Sequence, residues 1–150
     1  MKYLLYILIG LAAIALFYFG IFNREQDNLQ IEQPVNTVQG NWESKTDDQL
    51  PVTIKITPVK FGKDAETWKF QVVFDTHSGS LDEDPTQVAV LTDDRGNAYK
   101  PIAWEGPGPG GHHREGVLVF NSVYPTPIYI ELKIKDVGGI PERLFKWDIK

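Results

Sequence analysis

The chain has 150 residues, with 15 basic and 20 acidic side chains and a net charge of −5 at pH 7. This length suits one domain with a modest core, and the negative charge argues against binding to nucleic acid or to an anionic lipid surface. Because the chain has no cysteine, disulfide bonds and lipid attachment at cysteine are excluded.

The N-terminal segment is a continuous apolar run. Residues 3–22, YLLYILIGLAAIALFYFGIF, contain no charged side chain, and a helix of this length would cover the roughly 30 Å hydrocarbon core of a bilayer. A cleaved signal peptide is the alternative, because Lys2 and the AIA stretch at 13–15 resemble its basic start and cleavage site. The run is longer than the roughly 7–15 apolar residues of a signal peptide. We therefore predict a retained transmembrane anchor over residues 1–22.

The charges around this anchor predict its orientation. Lys2 precedes the apolar run, whereas acidic residues accompany Arg24 after it, so the N-terminus is expected in the cytoplasm. This orientation places the protein in the cell membrane as a single-pass protein with an extracytoplasmic C-terminal domain. Residues 23–50 are rich in Gln, Asn and Asp without sustained periodicity, and they are predicted to form a flexible polar linker. Trp42 lies in this linker and either docks on the domain or membrane interface or stays partly exposed.

Residues 51–150 have the pattern of an all-β domain. Short runs of alternating apolar and polar residues are separated by Gly, Pro, Asp and Asn, as expected for strands with one buried face. The pattern predicts a seven-stranded, immunoglobulin-like antiparallel β-sandwich with Trp68 in its core, and a small open barrel is the alternative. The predicted strands cover residues 52–59, 66–75, 87–92, 98–104, 117–120, 128–134 and 144–149.

Two features refine the middle of this domain. The DDRGN sequence at 93–97 is typical of a hairpin turn between the third and fourth predicted strands. Pro101 has no backbone N–H, so the fourth strand is expected at a sheet edge or with a bulge.

The alternating direction of neighbouring strands places the loops. If each strand is antiparallel to its neighbours, the loops at 76–86, 105–116 and 135–143 lie at one end of the domain. This end would then carry all three histidines, His77, His112 and His113, and would also receive the linker from the membrane.

These histidines are candidate metal ligands. Imidazole nitrogen binds Zn²⁺ and Cu²⁺ well, and Glu115 would add a carboxylate, so His77, His112, His113 and Glu115 form a candidate site for copper or zinc. The alternative is a structural role, in which the imidazoles bond to loop backbone or face solvent. Without such a metal, the sequence predicts no cofactor.

Two stretches resemble a known group of proteins. FDTHSGSL at 74–81 and AWEGPGPGGHHREGVLVF at 103–120 resemble the D-T-H-S and W-E-G…G-G-H-H-x-x-G stretches of an uncharacterised group of exported or membrane-anchored prokaryotic β-domains. The resemblance implies that His77, His112 and His113 belong to one site. It implies no activity.

No motif for catalysis stands out. The chain lacks cysteine and G-x-S-x-G, and the G-x-G-x-x-G match at 106–111 follows no βαβ pattern and contains two prolines. We therefore expect a non-enzymatic, membrane-anchored β-sandwich that binds a protein partner or supports an envelope assembly. Divalent metal binding is the alternative function.

Overall fold

The computed structural model describes residues 42–149. Nine strands and one short helix follow one another along this part of the chain. In chain order they are β1 (Lys45–Asp47), β2 (Val52–Lys60), β3 (Thr67–Thr76), α1 (Pro85–Val88), β4 (Ala89–Asp93), β5 (Ala98–Tyr99), β6 (Ala103–Glu105), β7 (His113–Asn121), β8 (Tyr129–Val137) and β9 (Ile140–Asp148).

The strands form two antiparallel sheets packed as a sandwich. One sheet has the order β1-β2-β3-β7-β6 and the other β5-β4-β8-β9, which confirms the predicted sandwich class. The predicted number of seven strands is wrong, because residues 42–149 contain nine. One addition is β1, within the segment predicted as linker. The other arises at Pro101, where the predicted strand 98–104 is divided into β5 and β6, which belong to different sheets.

The core lies between the sheets and follows from the alternation along each strand. Trp68 is fully buried, as predicted, and its indole Nε1 donates a hydrogen bond to the Gly62 carbonyl at 3.0 Å. Burial of this apolar surface is the main stabilising contribution in a chain without disulfides. The largest apolar side chains with full burial are Trp68, Phe70, Phe120, Ile54, Ile56, Leu91, Leu118, Ile130, Leu132 and Ile134.

The one-turn helix α1 was not predicted. Asp84 is its N-cap and accepts a hydrogen bond from the Thr86 backbone N–H at 2.8 Å, while Pro85 occupies the first helical turn. A capping carboxylate followed by proline is a common helix start. The hydrogen bonds from the Thr86 backbone and hydroxyl lower the pKa of Asp84.

Residues 42–47 approach the start of β2 from the other end of the sandwich. β1 runs antiparallel to β2, and Trp42 packs on Phe61, beyond the far end of β2, with 4.8 Å between ring centroids. The Trp147 indole then donates to the Glu43 carbonyl at 2.7 Å. The start of β2 lies beside the histidine loops, as predicted, since Val52 is paired with Thr76, whereas the added strand β1 begins toward the other end of the sandwich.

Within residues 42–149, no helix is both long and apolar enough to span a membrane. The predicted anchor at 3–22 and the first part of the predicted linker, up to residue 41, lie outside the described residues.

Candidate functional site

The loops that carry the three histidines lie at one end of the sandwich, which we call the histidine end. Its two main loops are residues 77–84, after β3, and residues 106–112, before β7. Asp75 stands opposite His113 in the β3–β7 register, and the Thr76 N–H donates to the His112 carbonyl at 2.9 Å. The prediction that His77, His112 and His113 share one end is confirmed by these contacts.

Backbone hydrogen bonds join the two loops. The Leu81 N–H donates to the Gly111 carbonyl at 3.0 Å, and the Gly110 N–H donates to the Leu81 carbonyl at 2.9 Å. Gly110 and Gly111 have φ angles of 115° and 77°, a region that side chains with a Cβ rarely occupy. The glycines before the paired histidines therefore allow one loop to pair with the other.

A buried arginine reinforces this contact. Arg114 is 3% exposed and extends from β7 into the histidine end. Its guanidinium donates to the carbonyls of Leu81 at 3.0 Å and Glu83 at 2.7 Å, and to that of Pro107 at 3.1 Å. One side chain thus binds both loops, and we call this set of three hydrogen bonds the Arg114 clamp. Arg114 was not among the residues predicted for this site.

Trp104 closes the same region from β6. Its indole Nε1 donates to the Pro107 carbonyl at 2.9 Å, and the Arg114 guanidinium carbon lies 5.8 Å from the centre of its ring, within cation–π range. The indole packs directly on Gly106 and Gly116, where an added Cβ would come within 2.6 Å of indole carbons. Absence of a side chain at these two positions makes room for the indole.

Replacement of Gly116 by alanine is therefore expected to destabilise the domain. The new Cβ would lie 2.6 Å from the Trp104 ring and 2.8 Å from the Glu105 carbonyl oxygen, and such overpacking typically costs about 1–3 kcal/mol. Urea unfolding of the full chain, followed by tryptophan fluorescence, would measure the loss. Gly108→Ala is the matched control, since its Cβ would meet nothing within 4 Å. Equal effects of the two substitutions would contradict this account of the packing.

His113 lies on the outer face of its sheet between two carboxylates. Its Nδ1–H donates to Asp75 Oδ1 at 2.5 Å, and its Nε2 lies 3.8 Å from Glu115 Oε2. The hydrogen bond to Asp75 and the charge of that carboxylate raise the pKa of His113 above the ordinary 6.5, which favours the imidazolium form. Gln71 Nε2 donates to Glu115 and so orients the second carboxylate.

The candidate metal ligands are thus brought together only in part. His113 and Glu115 are neighbours, but Asp75 and Glu115 flank different nitrogens of the same ring. His77 and His112 are both exposed in the loops. Across residues 42–149, no three or more His, Asp or Glu side chains are arranged to hold a metal ion. Copper or zinc binding by His77, His112, His113 and Glu115 stays a prediction.

A small recess lies beneath the loops. It has room for about one water molecule, so it cannot enclose a substrate of ordinary size. Its lining residues are Phe74, Leu81, Glu83, Pro85, Val88, Arg114 and Val137.

No protein family, curated protein or solved structure matches the chain. The contacts at the histidine end therefore carry the functional interpretation. At this end, two loops carry exposed polar side chains, and hydrogen bonds from the Arg114 and Trp104 side chains hold these loops in place.

Proposed function

We propose that the chain is a non-enzymatic, single-pass membrane protein whose extracytoplasmic sandwich binds a protein partner through the histidine end. The Arg114 clamp is the observation that carries this proposal. It fixes loops 77–84 and 106–112 before any partner arrives, and pre-ordered loops lose less conformational entropy on binding. His77 and His112 are exposed on these loops, where they are available for polar contacts.

An immunoglobulin-like arrangement is part of the proposal. The orders β2-β3-β7-β6 and β5-β4-β8-β9 correspond to the A-B-E-D and C′-C-F-G orders of such domains, with β1 as an added edge strand. In this correspondence, loop 77–84 is the B–C loop and the turn at 138–139 is the F–G loop. Those loops belong to the end that antibody variable domains use for binding, which supports assignment of the histidine end as the binding surface.

The recess beneath the loops admits about one water molecule, so it does not itself hold a ligand of substrate size. The exposed pair of Asp75 and His113 is instead suited to a flat polar contact with another protein, because both side chains are about half exposed.

Site-specific photo-crosslinking in native membranes would test this proposal. A benzophenone amino acid in place of His112 in the full chain is expected to give one discrete product heavier than the chain. The matched control replaces Tyr124, which is 92% exposed and lies beyond β7 at the opposite end. We expect no product from that position, because the proposed contact surface lies at the histidine end.

The result would be checked in the Gly116→Ala variant, which should weaken the His112 product relative to the amount of chain present in the membranes, since destabilisation alone can lower that amount. Products of equal yield from positions 112 and 124, or none from position 112, would contradict the proposed binding surface.

A further inference from the structure

One sheet edge differs from the other three. In the described part of the chain, β1, β5 and β6 are edge strands of two or three residues, whereas the fourth edge, β9, has nine and pairs with β8 alone. Long edge strands offer unpaired backbone groups to another strand, and proteins usually shorten, cover or charge them. The exposed edge of β9 is therefore the candidate for pairing with another chain.

The outer side chains of β9 indicate what that chain is. Leu144 lies in the middle of the strand and is 51% exposed. Two residues before it is Glu142 and two residues after it is Lys146, both exposed on the same face. A negative and a positive side chain thus stand at equal distances on either side of Leu144. When a second copy of the strand runs antiparallel with Leu144 opposite Leu144, each negative side chain faces a positive one.

We infer that β9 pairs antiparallel with β9 of a second copy of this chain, about a two-fold axis at Leu144. This alignment puts Leu144 against Leu144 of the partner subunit, and Glu142 against Lys146 of the partner subunit. Directly opposed residues of unlike charge stabilise antiparallel pairs, and an isologous contact of this kind closes as a dimer.

The neighbouring strand extends the charge pattern. Lys135 on β8 lies 3.7 Å from Glu142, and Glu131 lies 3.6 Å from Lys146. In the dimer, one row across the joined sheets would read Lys135, Glu142, then Lys146 and Glu131 of the partner subunit. Charges alternate along the whole row, and the two-fold axis generates the same row a second time.

Other alignments fit less well. With the axis at residue 145, Glu142 would face Asp148 of the partner subunit, and like charges directly opposite are destabilising. With the axis at residue 143, Glu142 would face Leu144 of the partner subunit, so no cation of the second copy would stand opposite the carboxylate. The alignment about Leu144 is favoured over both neighbours.

Disulfide trapping in native membranes tests the pairing. Because the chain has no cysteine, Leu144→Cys introduces a single thiol into the full chain. In the paired strands, the two Cβ atoms at 144 would lie about 5 Å apart, and mild oxidation with diamide is expected to give a covalent dimer.

Asp148→Cys is the control on the same strand. Position 148 is exposed, but the two copies of residue 148 would be about 27 Å apart, since eight residues separate them along the strands. Disulfide formation needs Cα atoms within about 7 Å. The 148 variant should therefore stay monomeric under the same oxidation.

Charge reversal tests the register. In the Leu144→Cys background, Glu142→Lys alone or Lys146→Glu alone sets like charges against each other, and each is expected to reduce trapping several-fold. When the two variants are co-expressed with different tags, every opposed pair is again of unlike charge. Trapping should return as a mixed dimer that carries both tags.

Two results would overturn the inference. One is trapping of Leu144→Cys at the level of Asp148→Cys, and the other is trapping that neither charge reversal nor co-expression alters. Both experiments are independent of the proposed partner at the histidine end. If the proposed partner binding is wrong, the photo-product at position 112 will be missing. If the β9 pairing is wrong, the disulfide-linked dimer at position 144 will be missing.

Discussion

Replacement of Arg114 by alanine is expected to lower the free energy of unfolding by about 2–4 kcal/mol, since it leaves one carbonyl without a donor, at about 1–3 kcal/mol, and leaves a cavity in place of the buried side chain. The Glu83 carbonyl would lose its donor in this variant, whereas the Leu81 and Pro107 carbonyls would keep the hydrogen bonds from the Gly110 N–H and the Trp104 indole. The loss would be measured by urea unfolding of the full chain at neutral pH.

A local measurement separates the clamp from general loss of packing. Amide hydrogen exchange should accelerate at Leu81 and Gly110, whose N–H groups join the two loops, more than at Ala89 in the fully buried start of β4. Arg114→Lys should recover little of the lost stability, because an ammonium cannot reproduce the planar set of donors of a guanidinium. Lys63→Ala, at an exposed position, is the control. An Arg114→Lys variant as stable as the original would argue against the clamp.

At the end of the sandwich opposite the histidine end, the largest effect is expected from Asp93→Asn. This substitution should lower the free energy of unfolding by about 3–5 kcal/mol at pH 7, because it removes a buried charge from the groups that bond to it. Asp93 is buried in the β4–β5 hairpin and accepts hydrogen bonds from backbone and side-chain groups of Arg95 and Asn97 and from the Tyr99 hydroxyl. The asparagine side chain has an NH₂ group in place of one carboxylate oxygen. This group cannot accept the hydrogen bonds that the oxygen accepts from these neighbours.

The same substitution should change the pH dependence of stability. Burial alone would raise the pKa of Asp93, but hydrogen bonds from Asn97, Tyr99 and Arg95 outweigh it and hold the pKa well below the ordinary 3.8. A carboxyl with a lowered pKa in the folded state stabilises the protein above its unfolded pKa, and this contribution declines as the pH falls below that value.

Urea unfolding of both proteins from pH 7 to pH 3 would measure this dependence. The difference in stability between the original and the Asp93→Asn protein should be constant down to about pH 5 and should shrink below the ordinary carboxyl pKa of 3.8. Asp64→Asn, at an exposed position, should show no such trend. A constant difference across the whole range would mean that the charge of Asp93 contributes little.

The alternation of residues predicted the sandwich because it persists through the long strands. The strands 52–59 and 66–75 were predicted within one or two residues of β2 and β3, and alternating chain direction brought the histidine loops to one end. The DDRGN hairpin was also predicted and is confirmed by pairing of β4 with β5. Local sequence determines these features, since turn chemistry and alternation operate over a few residues.

The Arg114 clamp was missed because the predicted strand began too late. Residues 112–116, HHREG, read as a polar loop, whereas β7 begins at His113. Extending the alternation backwards from Leu118 through Gly116 reaches Arg114 on the inner face. The signal was therefore present in the spacing, but arginine is rarely fully buried, and its partners are backbone carbonyls of distant loops.

Arg143 was missed for the same reason at the start of β9. The predicted strand began at residue 144, whereas β9 begins at Ile140, and Arg143 shares the inner face with Phe145. Its guanidinium donates to the carbonyls of Val52 at 2.6 Å and Gln49 at 2.8 Å, and burial lowers its pKa despite nearby Asp47. Its partners lie about ninety residues earlier in the chain, beyond the reach of local patterns.

The close fit of Trp104 on two glycines has a consequence for how this sequence can vary. Positions 104, 106 and 116 act as one unit, because any Cβ at 106 or 116 occupies space now filled by the indole. Substitutions at contacting positions are not additive, so a smaller residue at 104 would relax the requirement at the other two. Among diverged descendants of this chain, these three positions should change together or stay as they are.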